Sequence, residues 1–143
     1  MYRKAYASKA ENELANVFWE LNYAVVRGPS SGSGVRKRYQ PDLIAMKNGV
    51  IFVMEIKTKR KEGGNLYISS SQVLGLEEFS KRAGGIAIIA FKRKGREWRF
   101  HLLESLIPVG KNFKIKEPEK GLRIRDLEEM FFRRNKDIRK YIR

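Results

Sequence analysis

Pro41-Asp42-Leu43-Ile44-Ala45-Met46-Lys47-Asn48-Gly49-Val50-Ile51-Phe52-Val53-Met54-Glu55-Ile56-Lys57-Thr58 reads as two β runs joined by Asn-Gly, the strongest short-range hairpin signal. The runs are Asp42 to Met46 and Val50 to Thr58. The second is apolar on both faces, with Ile51 and Val53 on one and Phe52, Met54 and Ile56 on the other, as a central strand requires. A two-residue turn sets Lys47 against Val50. Counting outward in step then brings Asp42 opposite Glu55. Opposed residues have Cβ atoms ~4.5–5.5 Å apart, and like charges there repel. Glu55 and Lys57 are two apart on one strand and share a face.

Upstream, Ala7, Ala10, Leu14, Val17, Phe18 and Leu21 recur at helical spacing and predict a helix over residues 7–21. Glu11 falls at the edge of that stripe, towards the core, and Asn12 points to solvent. Asn22 ends the helix and Tyr23 to Arg27 form a short strand. A Gly, Ser and Pro-rich loop runs from Gly28 to Gln40, carrying Ser31-Gly32-Ser33-Gly34 and the basic run Arg36-Lys37-Arg38. A loop this long in a small domain is functional or disordered.

Downstream, Ser69 to Gln72 has capping-box spacing and opens a second helix with Val73, Leu76, Phe79 and Ala83, closed by Gly84-Gly85. Strands follow at Ile86 to Phe91 and Glu97 to Leu102. Strand, helix and strand make a crossover unit, so 50–58 and 86–91 are expected to be parallel neighbours. Residues 109–121 read as a loop or short edge strand. Arg125 to Ile142 reads as a basic C-terminal helix with Leu127, Met130, Phe131 and Ile138 inward. The expected fold is α/β, a mixed central sheet flanked by helices. It forms a single domain over 1–143, with its core at about 7–107 and the terminal helix over 122–143.

The 143 residues carry a formal charge of +15, from 31 Lys and Arg against 16 Asp and Glu. Such an excess repels itself, which points to a polyanionic partner: nucleic acid first, an anionic membrane surface second. Cationic clusters recur at 36–38, 57–61, 93–96 and 133–134, so the basic surface belongs to the fold. The absence of cysteine excludes disulfides, thiolate zinc sites and cysteine nucleophiles, and one histidine, His101, excludes sites needing several imidazoles. His101 itself reads as a solvated or packed strand residue. No apolar run reaches the ~18 residues of a membrane span and no leader stretch is evident, so the expectation is a soluble, cytoplasmic protein with no membrane partner.

Two carboxylates at the separation expected for Asp42 and Glu55 suit a hard divalent cation, which prefers oxygen ligands. Beside such an ion Lys57 can orient a water or stabilise a pentavalent phosphate. The plainer alternative makes Asp42 a turn residue and Glu55–Lys57 a surface ion pair. Against it, the strand is apolar on both faces, where unpartnered charges are rare.

Pro41-Asp42 followed by Glu55-Ile56-Lys57 resembles the PD-(D/E)xK signature of restriction-endonuclease-like nucleases. The wider chain resembles the archaeal Holliday-junction resolvases. The similar segments are Ala10 to Leu14, Tyr23 to Arg27, Ser31 to Ser33, Pro41 to Ala45, Lys47 to Gly49, Met54 to Lys57 and Glu78 to Ser80, together covering roughly residues 1–103. The resemblance implies a restriction-endonuclease-like fold and a Mg2+-dependent, homodimeric endonuclease. Such an enzyme would resolve four-way DNA junctions by paired nicks and leave 5′-phosphates.

The resemblance makes Glu11 a third metal-site acid, Ser31 a catalytic loop serine near the cut backbone, Arg27 a DNA contact and Phe79 a dimer-interface residue. Each has a plainer reading: Glu11 as a helix cap with Ser8, Ser31 as loop filler, Arg27 as a surface cation, Phe79 as core. Gln72 is read as a cap that could also approach the metal site. Asn12 stands where the family usually carries arginine. Arg36, Lys37, Arg38, Lys59 and Arg60 are the further DNA-binding candidates on charge. Two rival functions remain: an endonuclease of the same superfamily acting on nicked, flapped or mismatched DNA, and a non-catalytic basic DNA-binding module.

Overall fold

The computed structural model describes residues 2–29 and 38–139. Helix α1 (Tyr2–Glu20) leads into strand β1 (Ala24–Arg27), then β2 (Leu43–Lys47) and β3 (Val50–Lys59). After β4 (Leu66–Ile68) comes α2 (Ser70–Ala83), followed by β5 (Ile86–Arg93), β6 (Arg99–Leu102), β7 (Ile107–Val109), β8 (Asn112–Ile115) and α3 (Ile124–Arg139). Five strands form the main sheet in the order β1-β2-β3-β5-β6, with β3 at its centre. β3 and β5 are parallel and every other neighbouring pair is antiparallel. The mixed α/β architecture and the crossover are therefore as expected.

Local chemistry accounts for the element ends. Asn48 and Gly49 have φ of 49° and 82°, the two left-handed residues of a type I′ turn, and Lys47 pairs with Val50 as predicted. Asn22 (φ 71°) closes α1: the Tyr23 N–H bonds the Phe18 carbonyl and the Asn22 N–H bonds that of Trp19, so two helix-end acceptors are satisfied. Ser69 caps α2 by accepting from the Gln72 N–H, and Gly84 (φ 68°) ends it. Both boundaries match the sequence reading.

Each face of the sheet is covered. On one, Leu14, Phe18, Tyr23, Phe52, Met54, Phe100 and Leu127 form the core beneath α1 and α3. On the other, Val53, Leu66, Ile68, Val73, Leu76, Ile89 and Ile115 pack beneath α2 and a second sheet. That second sheet, ordered β4-β8-β7, was not expected as a sheet, although β8 falls within 109–121, read as a loop or short edge strand. The buried set includes Ile115 and Leu127, beyond the expected core.

Two expectations fail. Met130 is 42% exposed, not inward. The buried stripe of α3 is turned towards Glu128, which accepts from Tyr23 Oη (3.0 Å) and Lys47 Nζ (3.3 Å), so Leu127, Phe131 and Phe132 meet the core and Met130 lies on the far flank. Arg93, read as surface charge, is 1% exposed and bonds Glu119 (2.9 Å) and the Gly63 carbonyl (3.2 Å). It ties β5 to the segment before α3 and takes no part in a basic surface. The side chain of Ile138 lies outside the described residues. None of the described helices is long and apolar enough to cross a membrane.

Candidate active site

Period-two alternation along β3 puts Phe52 and Met54 under α1 and turns Glu55 and Lys57 to the opposite face, towards α2. Glu55 is buried. Lys57 Nζ lies 4.0 Å from its Oε2 and donates to Gln72 Oε1 at 2.9 Å. Gln72 thus serves twice: its backbone N–H donates to the Ser69 cap and its side chain holds the lysine.

Asp42 reaches the same place by a different route from the one expected. The regular ladder ends at Leu43 opposite Met54. One residue earlier, the Asp42 N–H also turns to the Met54 carbonyl, at 3.0 Å. The strand bulges there, and Asp42 is not a ladder partner of Glu55. Its carboxylate replaces a backbone acceptor instead: Oδ2 takes the Ile56 N–H at 2.8 Å. Pro41, with no N–H of its own, favours this departure. Asp42 and Glu55 are still brought together, as the sequence reading anticipated, and burial, then the charge and hydrogen bond of Asp42, push the Glu55 carboxyl up to about 8.

A residue absent from the sequence reading completes the cluster. Tyr39 Oη donates to Glu55 Oε1 at 2.6 Å, and burial followed by the Glu55 charge drives the phenol's own pKa upward. Nothing in an isolated tyrosine at the end of a Ser-Gly loop announces that contact. The segment that carries Asp42 is also held from below. A Cβ on Gly28 would stand 2.1 Å from the Pro41 carbonyl oxygen, and the Gly28 N–H bonds the Asp42 carbonyl at 2.9 Å.

The donor set of Asp42 and Glu55 fits a small divalent cation. Two acidic side chains forced together without a counter-ion repel, and an ion held by one or two carboxylates with water and phosphate filling the rest is the usual magnesium arrangement. Glu11 is not gathered into this set: among the described residues no three acidic or imidazole side chains converge. It pairs with Arg27 instead, at 3.0 Å, and the same guanidinium bonds Asn12 Oδ1 at 2.9 Å. An arginine at position 12 would offer Arg27 no acceptor. Arg27 pairs with Leu43 in the ladder, so this network sits at the edge of the sheet from which Asp42 enters.

Of the charge-based candidates, Arg38 and Arg60 are exposed and Lys59 is half-buried, its ammonium bonded to the Asn65 carbonyl. Ser31, Arg36 and Lys37 lie outside the described residues. Phe79 is half-buried on α2, packed on the second core and lining a groove with Arg38, Tyr39, Gly75 and Arg82. His101 is packed: its Nε2 meets the Pro118 carbonyl at 2.7 Å, and burial lowers its pKa.

The same combination of fold and sequence recurs in known proteins. A family model described as archaeal Holliday junction resolvase (Hjc) matches residues 2–136. The crossover junction endodeoxyribonuclease Hjc of Sulfurisphaera tokodaii is 35% identical over 126 residues, covering 87% of this chain and 86% of its own. That of Archaeoglobus fulgidus is 30% identical over 131 residues, covering 90% and 93%. The solved structure of Archaeoglobus fulgidus Hjc, a Holliday junction resolvase, superposes with a TM-score of 0.75 at 31% identity, over 84% of this chain and 98% of that one. A restriction-endonuclease-like sheet with Asp42, Glu55 and Lys57 at its centre, matched along nearly its whole length by these relatives, places the chain in the archaeal Holliday junction resolvase family.

Proposed function

We propose that this protein is a magnesium-dependent endonuclease that resolves four-way DNA junctions as a homodimer, each subunit nicking one strand to leave a 5′-phosphate. The observation that carries the reading is the buried Glu55 carboxyl held against Asp42, with the Lys57 ammonium 4.0 Å away. Asp42 and Glu55 would supply hard oxygen ligands to a divalent cation, whose chemistry there would be to polarise the scissile phosphate and acidify a water. Lys57, aimed by Gln72, would stabilise the negative charge that grows on the phosphoryl oxygens. Glu11 joins as an acidic side chain near the Asp42 edge when the Arg27 guanidinium leaves it for a phosphate. Manganese, equally content with oxygen ligands, substitutes.

Affinity comes from charge. Arg27, Arg36, Lys37, Arg38, Lys59 and Arg60 contact phosphates, with Ser31 beside the cut, and phosphate contacts position without reading sequence. Selection of the junction is then by shape. The names of the relatives, crossover junction endodeoxyribonuclease, support the substrate.

The test uses an end-labelled four-way junction and a linear duplex of the same sequence, each incubated with and without Mg2+. Paired nicks near the branch point, only with the ion and only on the junction, are expected. Equal cutting of the linear duplex would favour a nuclease for other substrates, and binding without cutting in any divalent ion would leave a DNA-binding module.

A further inference from the structure

We infer that Tyr39 is a positioning residue of the metal centre: its hydroxyl fixes the Glu55 carboxylate in the orientation that a cation requires, and α2 fixes Tyr39. The inference rests on the reading of Asp42 and Glu55 as ligands, and it adds a residue from outside the acidic motif. Three contacts carry it. The 2.6 Å bond from Tyr39 Oη engages Glu55 Oε1. Oε2 then faces Lys57 Nζ, 4.0 Å away. And the tyrosine lies so close on α2 that a Cβ on Gly75 would stand 2.5 Å from its ring Cγ and 2.7 Å from its Cβ.

A glutamate side chain on a strand has three rotatable bonds, and the strand fixes only its root. Without a partner at Oε1 the carboxylate can swing towards Lys57 or away from Asp42, and a cation must freeze that motion on binding. The phenol removes the freedom beforehand. Partners of this kind, which hold a ligand and never touch the ion, typically alter metal affinity or activity by about 10–100-fold when lost. Gly75 has no left-handed backbone to accommodate, so its lack of a side chain is explained by the close approach of Tyr39 alone. Tyr39 sits three residues before Asp42, and Pro41 is buried against Gly28 between them. One short segment, clamped by α2 at one end and by Gly28 at the other, therefore carries both a ligand and the residue that orients the second ligand.

The experiment measures Mn2+ affinity in the absence of DNA, by calorimetry or by the loss of free-ion electron paramagnetic signal, for wild type, Tyr39→Phe, Gly75→Ala, Glu55→Gln and the double variant Tyr39→Phe/Glu55→Gln. Tyr39→Phe keeps the ring and its packing, and an unchanged thermal midpoint verifies that it folds. It is expected to weaken Mn2+ binding about tenfold or more. Gly75→Ala, which displaces the ring without touching the hydroxyl, is expected to follow it. The two losses should not add in the double variant, because without the Glu55 carboxylate the phenol has nothing to orient. Junction cleavage by Tyr39→Phe should recover at raised Mn2+, which a role confined to packing would not produce. Wild-type affinity in Tyr39→Phe, with a clear loss in Glu55→Gln, overturns the inference and leaves the metal site standing. No loss in Glu55→Gln overturns the metal site itself.

Discussion

Lys57 and Glu55 form a poor salt bridge by distance, and that looseness is informative at the level of single residues. A lysine recruited for neutralisation would close on the carboxylate, whereas this one stays 4.0 Å from it and donates to Gln72 at 2.9 Å. It is aimed rather than paired. Lys57→Ala should therefore lower single-turnover cleavage by about 10²–10³-fold, the usual cost of losing a preorganised donor to transition-state charge. Added Mg2+ should not restore it, because no ligand has been lost; full rescue by the ion would show that Lys57 acts through metal binding. His101 makes a second prediction at this scale. Burial first of all holds its pKa below the ordinary imidazole value, so the folded protein keeps it neutral while the unfolded chain titrates near 6.5. The stability this provides is complete above about 6.5 and is lost as pH falls through the lower, folded value. Urea midpoints for wild type and His101→Gln should thus converge on acidification. A gap that widens below that pH would reverse the sign.

Elements show why some of this architecture was legible in sequence and some was not. The β2–β3 register, the Ser69 cap and the Gly84 stop rest on residues close together in sequence, and the parallel crossover follows from the strand-helix-strand order, so these were readable. The second sheet joins Leu66 to Ile115 through strands of three or four residues, one of them containing Pro108, and a pairing between distant short runs has no local signature. Asp42 lies between these cases. Its nearness to Glu55 was legible from the hairpin, but the bulge that places it was not, because counting outward from the turn assumes a ladder that stays regular past Leu43. Tyr39 was invisible for the same reason as the second sheet: its partner on β3 is met only once α2 is docked. The hairpin itself is testable. Gly49 has φ 82° and open space around its α-carbon, so Gly49→Ala introduces backbone strain alone. It should cost about 1–2 kcal/mol in chemical denaturation with an unchanged m-value. No cost would mean that the turn is not left-handed.

For the whole molecule the governing number is the formal charge of +15, set against an active site made of acids. On the proposed function, attraction to DNA and the chemistry on it are carried by different residues and can be separated by experiment. Junction affinity should fall with salt at a log-log slope of roughly −5 or steeper, as several phosphates exchange their counter-ions for Lys and Arg. A four-way junction has two equivalent strands to cut, and the proposed two-fold dimer would place one copy of Asp42, Glu55 and Lys57 at each. Doubly tagged mixed dimers with one Glu55→Gln subunit should hence turn a supercoiled cruciform plasmid into nicked circles rather than linear product. Linear product at the wild-type proportion would rule out one complete site per subunit. The central claim, that Asp42 and Glu55 serve catalysis and not affinity, is tested most directly by measuring binding and Mg2+-dependent cleavage of one labelled four-way junction side by side for wild type, Asp42→Asn and Glu55→Gln. The account predicts that both folded variants bind like wild type and fail to cut; variants that keep cutting, or that lose binding in step with cutting, would contradict it.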